Sequence, residues 1–486
     1  MRIRTSRRLS FAAAVVAAAL ALTACSTAVD GTPEYENAAN ANLNVKGVDN
    51  SSKIDTIAQN SLSDIQEFWK DEFPKVSGGK QLEPLKGGLY SVDGAEVFEK
   101  RSAEGQAVSA NECAQKTIRF LVNNGAFCQL DDSIVWDRSE RHLFDALRSK
   151  YGDFVVAMIF AHEFGHAVQD RLGIFDNRPR TILTESQADC AAGAWAAAAV
   201  DQRAPHFRNV TLADVDDALE GYLNARDSTP ESEADISHGN GFDRLSAVAD
   251  GYDRGITYCY GKGYFDSRTF TSRPYSSEED EETGGNVSFD EVVDTGGDNP
   301  FVKDLNRFWE GAAQRIGKKF EPVKIAEADR PKCGVSSSSE FGYCPDDNTV
   351  YFNRAVAERA YNSLPELDAD EDQNIELRFN QPADFALGTL FSIGWGFAVR
   401  HQLFDRTMDD ADALIAGVCY TGAYAKDINV PSAPGGFVLS PADLDESVSA
   451  LLNEVPQDST YGARGTTGLT RIQAFIKGYK GGLSVC

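Results

Sequence analysis

The chain has 486 residues, 25% of them charged and 42% hydrophobic, the balance of ordinary globular domains. Its net charge of −27 argues against nucleic acid as a ligand and against electrostatic adhesion to anionic lipid. Length suggests two to three domains, and no apolar run after the leader is long enough to span a membrane as a helix.

The first residues read as an export leader. Arg2, Arg4, Arg7 and Arg8 precede an apolar stretch from Phe11 to Leu22, too short for an ordinary membrane span. Leu22-Thr23-Ala24-Cys25 has the form of a bacterial lipobox, so residues 1–24 are expected to be removed and Cys25 lipidated. That would hold the mature chain on the outer face of the bacterial cytoplasmic membrane. Ser6-Arg7-Arg8 hints at twin-arginine export. Residues 25–60 are rich in Asn, Ala, Ser, Asp and Gly and poor in large apolar residues, which predicts a flexible tether.

The chemistry concentrates in Ala161-His162-Glu163-Phe164-Gly165-His166, preceded by the apolar run Phe154 to Phe160. Together they predict a buried helix. Residues i and i+4 share a helix face, so His162 and His166 can reach one ion together. Glu163 lies about 100° further round the axis, where it can hold an ion-bound water. The chain has only 6 His, so this spacing is informative. Gly165 costs a helix about 1 kcal/mol relative to alanine, which suggests a close approach to its backbone. Downstream, Glu185 and Asp189 form another i, i+4 pair in an alanine-rich helical setting. One of these carboxylates can complete the metal site while the other bonds the outer nitrogen of a histidine ligand. Two His and one carboxylate with an open fourth position is the pattern of a catalytic zinc site.

The run His162-Glu163-Phe164-Gly165-His166, followed by Glu185-Ser186-Gln187-Ala188-Asp189-Cys190-Ala191-Ala192-Gly193-Ala194-Trp195, resembles the bacterial neutral zinc metallopeptidase family, a gluzincin-like group. The likeness extends loosely from Leu62 to Cys259. It implies zinc ligation by His162, His166 and Glu185, Glu163 as the catalytic acid/base, and a zincin-like fold. Asp189 then takes the outer role. His238, in Ser237-His238-Gly239 ahead of Arg244, is a further candidate, for steadying an oxyanion.

Setting Cys25 aside leaves eight cysteines and no C-x-x-C pair, which in an exported chain reads as disulfides. Their layout is two close pairs and two distant pairs, in the same order in each half: Cys113–Cys128, Cys190–Cys259, Cys333–Cys344 and Cys419–Cys486. The same order marks an internal repeat. Asp153 to Val168 aligns without a gap on Asp384 to Val399, Cys190 to Trp195 on Cys419 to Tyr424, and Thr211 to Asp216 on Ser440 to Asp445. In the second copy Ile393, Gly394 and Phe397 stand for His162, Glu163 and His166, and Leu414 and Val418 for Glu185 and Asp189. Between the copies, Ser276 to Glu282 is acidic and Gly284-Gly285 and Gly296-Gly297 follow, predicting an extended solvated linker.

The expected architecture is α+β and mostly helical: two homologous zincin-like domains, residues 61–272 and 300–486, joined by a linker over 273–299. One Zn2+ is expected, in the first domain only. The second should fold alone as a metal-free domain, free to separate, that binds the first domain, a substrate or a protein partner. The expected function is hydrolysis of peptide bonds in a peptide or protein substrate by a zinc-activated water with Glu163 as base. A non-catalytic scaffold lipoprotein built from peptidase-like domains, or a zinc hydrolase of a non-peptide wall amide, is the alternative.

Overall fold

Helix α1 (Lys53–Val76) starts where the Ser52 side chain accepts the Asp55 N–H at 3.2 Å, and it buries Ile54, Ile57, Ala58, Ser61, Leu62, Ile65, Phe68 and Trp69. That three-to-four spacing makes one apolar face. It packs beside a four-stranded sheet of order β1-β2-β4-β3, formed by Val45–Lys46, Gly88–Val92, Gly125–Cys128 (β3) and Ser133–Asp137 (β4). β1, β2 and β4 run parallel, and β3 lies antiparallel to β4 at one edge. Every residue of β4 is buried, and its Trp136 indole donates to the buried Asp55 carboxylate at 2.6 Å. The computed structural model that gives these elements describes residues 39–100, 112–116, 120–226, 238–271, 274–275, 277–329, 341–406, 412–429, 437–455 and 466–486, so Cys25 and Cys333 lie outside the described residues.

Helices α2 (Asp153–Arg171) and α3 (Thr181–Val200) are buried on nearly all sides, as their long apolar and alanine runs require. α4 (Leu212–Asn224) and α5 (Gly241–Arg254) complete the first half. α3 and α5 cross at Gly251, where a Cβ would stand 1.8 Å from the Cys190 carbonyl oxygen, so only glycine allows the approach.

The second half follows the same order. α6 (Pro300–Arg315) precedes β5 (Lys324–Glu327), β6 (Phe341–Cys344) and β7 (Thr349–Phe352), with β5 parallel and β6 antiparallel to β7. A hairpin, β8 (Leu364–Ala369) and β9 (Ile375–Gln381), comes next. α7 (Asp384–Phe404), α8 (Ala413–Ile428), α9 (Asp443–Asn453) and α10 (Gly468–Gly481) finish the chain. Gly478 touches the Cys419 carbonyl as Gly251 touches that of Cys190, with 1.9 Å to an added Cβ. Disulfides join Cys113–Cys128, Cys190–Cys259 and Cys419–Cys486. Cys344 is disulfide-bonded as well, and its expected partner Cys333 is outside the described residues.

Three expectations are corrected. The stretch expected to be a flexible tether is ordered in part, since Val45–Lys46 joins the sheet and residues 53–60 open α1 with Ile54, Ile57 and Ala58 buried. The described residues from 39 to 486 form one compact unit with a core shared by both halves, so the halves are not free to separate. Their contact is reciprocal. Asp445 of α9 accepts the Gly241 and Phe242 N–H groups that open α5, at 3.0 and 2.8 Å. Asp216 of α4 accepts those of Gly468 and Leu469 that open α10, at 2.6 and 2.8 Å. Each carboxylate satisfies the unpaired donors of a helix in the other half. The stretch expected to be a solvated linker instead forms two short helices, Glu278–Thr283 and Phe289–Val292, and buries Val292 and Val293. The acidic run is brief, and the apolar residues after it decide the outcome.

Candidate metal centre

α2 and α3 can carry the site because they pack closely. A Cβ on Gly165 would come within 3.1 Å of the Ala188 backbone, which accounts for glycine in the middle of a helix. α2 brings His162, Glu163 and His166 to one face, and α3 sets Glu185 and Asp189 against it. Ligand atoms of His162, His166 and Glu185 converge. The two Nε2 atoms are 3.2 Å apart, His162 Nε2 is 3.1 Å from Glu185 Oε2, and His166 Nε2 is 3.4 Å from Glu185 Oε1. Two atoms bound about 2.0–2.1 Å from a tetrahedral ion stand about 3.3 Å apart. The donor set and its spacing therefore fit zinc.

Around the ligands lies a ring of supports. His162 Nδ1 is 2.7 Å from Asp189 Oδ1, and Asp189 is itself held by Arg244 through Nη2 at 2.9 Å and Nε at 3.0 Å. Arg244 lies over the Tyr222 ring and also donates to the Ala225 carbonyl, tying α3 and α5 to the end of α4. His166 Nδ1 is 2.8 Å from Gln169 Oε1, whose amide donates to the Thr184 carbonyl at 2.7 Å. Each outer nitrogen thus has an oxygen partner, which leaves the inner nitrogens with lone pairs for an ion. Glu163 stands beside the ligands, its Oε1 3.9 Å from His162 Nε2. Its Oε2 accepts the Phe127 N–H of the edge strand β3 at 2.8 Å.

Charge is concentrated here. Burial opposes protonation of His162, but Asp189 and Glu185 outweigh it and raise the ring to about 10 in the ion-free site. Burial likewise works against ionised Glu185, yet the two imidazoles hold its carboxyl well below the usual range. Asp189 is lowered too, because Arg244 and His162 overcome its burial.

Arg244, Gln169 and the Phe127 N–H were not assigned parts by the sequence reading. A signal for Arg244 existed, since Arg471 occupies the corresponding place in α10. With Val418 where Asp189 would be, Arg471 instead donates to the Leu451 and Leu452 carbonyls at the end of α9, at 2.6 and 3.3 Å. His238 is exposed ahead of α5 and is not among the side chains that meet at the ligand cluster. His142 and His206 are held by Asp137 and Asp64, each at 2.6 Å. In the second half Ile393, Phe397, Leu414 and Val418 are all buried, and a Cβ on Gly394 would strike the Val350 side chain at 2.7 Å.

Residues 8–255 match the family described as "putative neutral zinc metallopeptidase". Uncharacterised proteins of Mycobacterium bovis and of two strains of Mycobacterium tuberculosis are each 31% identical over 110 residues, covering 19% of this chain and 36% of theirs. The chain thus spans about a third of the length of the curated relatives it matches. No solved structure matches it.

Proposed function

Since the chain belongs to the putative neutral zinc metallopeptidase family, we propose that its first half hydrolyses peptide bonds, with His162, His166 and Glu185 as zinc ligands and Glu163 as general base. The observation that carries this reading is the convergence of three ligand atoms at zinc spacing with a separate carboxylate alongside. Bound zinc supplies Lewis acidity, lowering the pKa of its water to about 7 and polarising the carbonyl to be attacked. Glu163 accepts the proton of the water as its oxygen bonds to the carbonyl carbon, then delivers it to the amine nitrogen as the C–N bond breaks. The Phe127 N–H fixes the Glu163 carboxylate and leaves its other oxygen toward the ligands. Asp189 and Gln169 orient the two rings.

On the same footing, Cys25 anchors the mature chain to the outer face of the cytoplasmic membrane, and the second half is a duplicate that kept the scaffold and lost the zinc ligands. Its part is to brace the first half through α9 and α10.

Glu163→Gln tests the assignment. Metal analysis should find zinc retained, while digestion of a peptide library should fall by a factor of about 10²–10⁴, the usual weight of general acid–base catalysis. Ordinary turnover by the variant would refute Glu163 as base. A wild-type chain that binds zinc yet cleaves no peptide would favour the wall-amide alternative, and one that binds none would favour the scaffold.

A further inference from the structure

Three carboxylates meet in the second half, well away from the positions of the lost zinc ligands. Asp384 opens α7, and Asp443 and Glu446 lie in the first turn of α9. One oxygen of each lies within 4.8 Å of the others, and all three residues are 0% exposed. Asp384 Oδ2 accepts the Val287 N–H at 2.6 Å, and Glu446 Oε2 accepts the Phe385 N–H at 2.8 Å. Their other oxygens, Asp384 Oδ1 and Glu446 Oε1, are buried and receive no donor among the described residues, and the two carboxyl groups lie close enough for a proton to be shared between them. Arg226, whose charge is felt at Glu446, is 3.5 Å from Asp445 and donates to the Pro365 carbonyl at 2.8 Å. Burial and mutual repulsion, chiefly from Asp443, push both Asp384 and Glu446 well above the ordinary carboxylate range.

The first half handles the matching place differently. Asp153, which opens α2 as Asp384 opens α7, has the Lys53 ammonium 2.9 Å away and keeps 42% of its side chain exposed. Asp214 spends its carboxylate on Thr211, and Asp443 does the same with the Ser440 N–H at 2.7 Å and the Ser440 hydroxyl, so the difference lies at Asp384 and Glu446. In the first half the chain supplies its own cation, whereas Asp384 and Glu446 are buried, each with an oxygen that receives no donor among the described residues.

We propose that Asp384, Asp443 and Glu446 bind a hard divalent cation, calcium by preference, which fastens the segment at Asn286 and Val287 to the starts of α7 and α9. The donors are all oxygen, which suits calcium, magnesium or manganese better than zinc. Calcium takes carboxylates and carbonyls in irregular geometry, whereas magnesium keeps several waters, for which this buried cluster is ill suited. The second half is then zinc-free without being cation-free.

The test uses the full mature chain, stripped of metal, desalted and restored with one equivalent of zinc. CaCl2 is titrated to about 5 mM, above the 10⁻⁴–10⁻³ M range of weak extracellular calcium modules. One calcium should bind per chain by calorimetry, and the melting temperature should rise by about 2 °C or more. Glu446→Gln and Asp384→Asn should each abolish both responses and keep the single zinc, and magnesium should give a smaller rise than calcium. A wild-type chain whose heat and melting do not respond to calcium would overturn the proposal, and the cluster would then hold shared protons only. Equal calcium responses in wild type and in whichever variant folds would overturn it as well.

Discussion

Removing Asp189 should do two separable things. Its carboxylate takes the outer nitrogen of His162 at 2.7 Å and two guanidinium nitrogens of Arg244 at 2.9 and 3.0 Å, all in a fully buried setting. Asp189→Ala loosens the orientation of His162, an effect of about 10–100-fold on zinc affinity. It also strands Arg244, which is 7% exposed at its side chain and, among the described residues, keeps the Ala225 carbonyl and the Tyr222 face. Breaking a buried pair by deleting one partner costs about 3–5 kcal/mol. Chemical denaturation of the metal-free protein should show that loss, and competition with a chromophoric chelator should show the weakened zinc. The double variant Asp189→Ala/Arg244→Met separates the two, because removing the stranded charge should restore much of the stability and none of the affinity. Because the folded pKa of Asp189 is depressed, its contribution is present above its unfolded value near 4 and lost as pH falls through the lower folded one. The stability gap between wild type and Asp189→Ala in the metal-free protein should therefore narrow below about pH 4. It should narrow again as pH rises from about 6.5 through about 10, where the His162 ring that Asp189 helps keep protonated loses its proton. A loss under about 1 kcal/mol for Asp189→Ala, or a double variant that recovers affinity along with stability, would refute this account.

Two further outcomes follow from the site and the leader. With His162 raised to about 10 in the ion-free site, zinc uptake at pH 7 should release about one proton or more, measurable by calorimetry in buffers of different ionisation enthalpy. Uptake without proton release would mean that the ring is already neutral. Cys25→Ser should release the protein from the membrane fraction, since an acidic chain has no electrostatic hold on anionic lipid. A variant still wholly membrane-bound would require another attachment.

The ligand cluster was legible because it depends on local spacing. His162 and His166 share a face of α2, Glu185 and Asp189 share a face of α3, and Gly165 marked the approach of the two helices. What could not be read arrives from far along the chain. Arg244 reaches Asp189 from 55 residues away and Phe127 reaches Glu163 from 36, and neither contact leaves a periodic trace. The carboxylates of α7 and α9 were passed over for a similar reason. Asp384 and Asp443 sit inside aligned blocks, where they read as repeat markers, and only the fold brings them together with Glu446. The segment before Pro300 was misjudged because charge density was weighed and Val287, Phe289, Val292 and Val293 were not.

The crossed aspartates carry a consequence for how such a chain could arise. Asp216 and Asp445 occupy matching places in the aligned blocks, and each seals a helix of the opposite half, as two subunits do across a twofold axis. Glycines at both receiving ends let the carboxylate come close, with 3.2 Å from an added Cβ on Gly241 to Asp445 Cγ and 3.0 Å from one on Gly468 to Asp216 Cγ. A surface of this kind is its own complement, so a chain with a single copy would present it to another molecule of itself. Joining two copies end to end turns that encounter into an intramolecular one, with a high effective concentration that no dilution removes. None of the residues that make the crossing is among the side chains that converge at the candidate metal centre, so the crossing sets no requirement on what stands at those positions in either half.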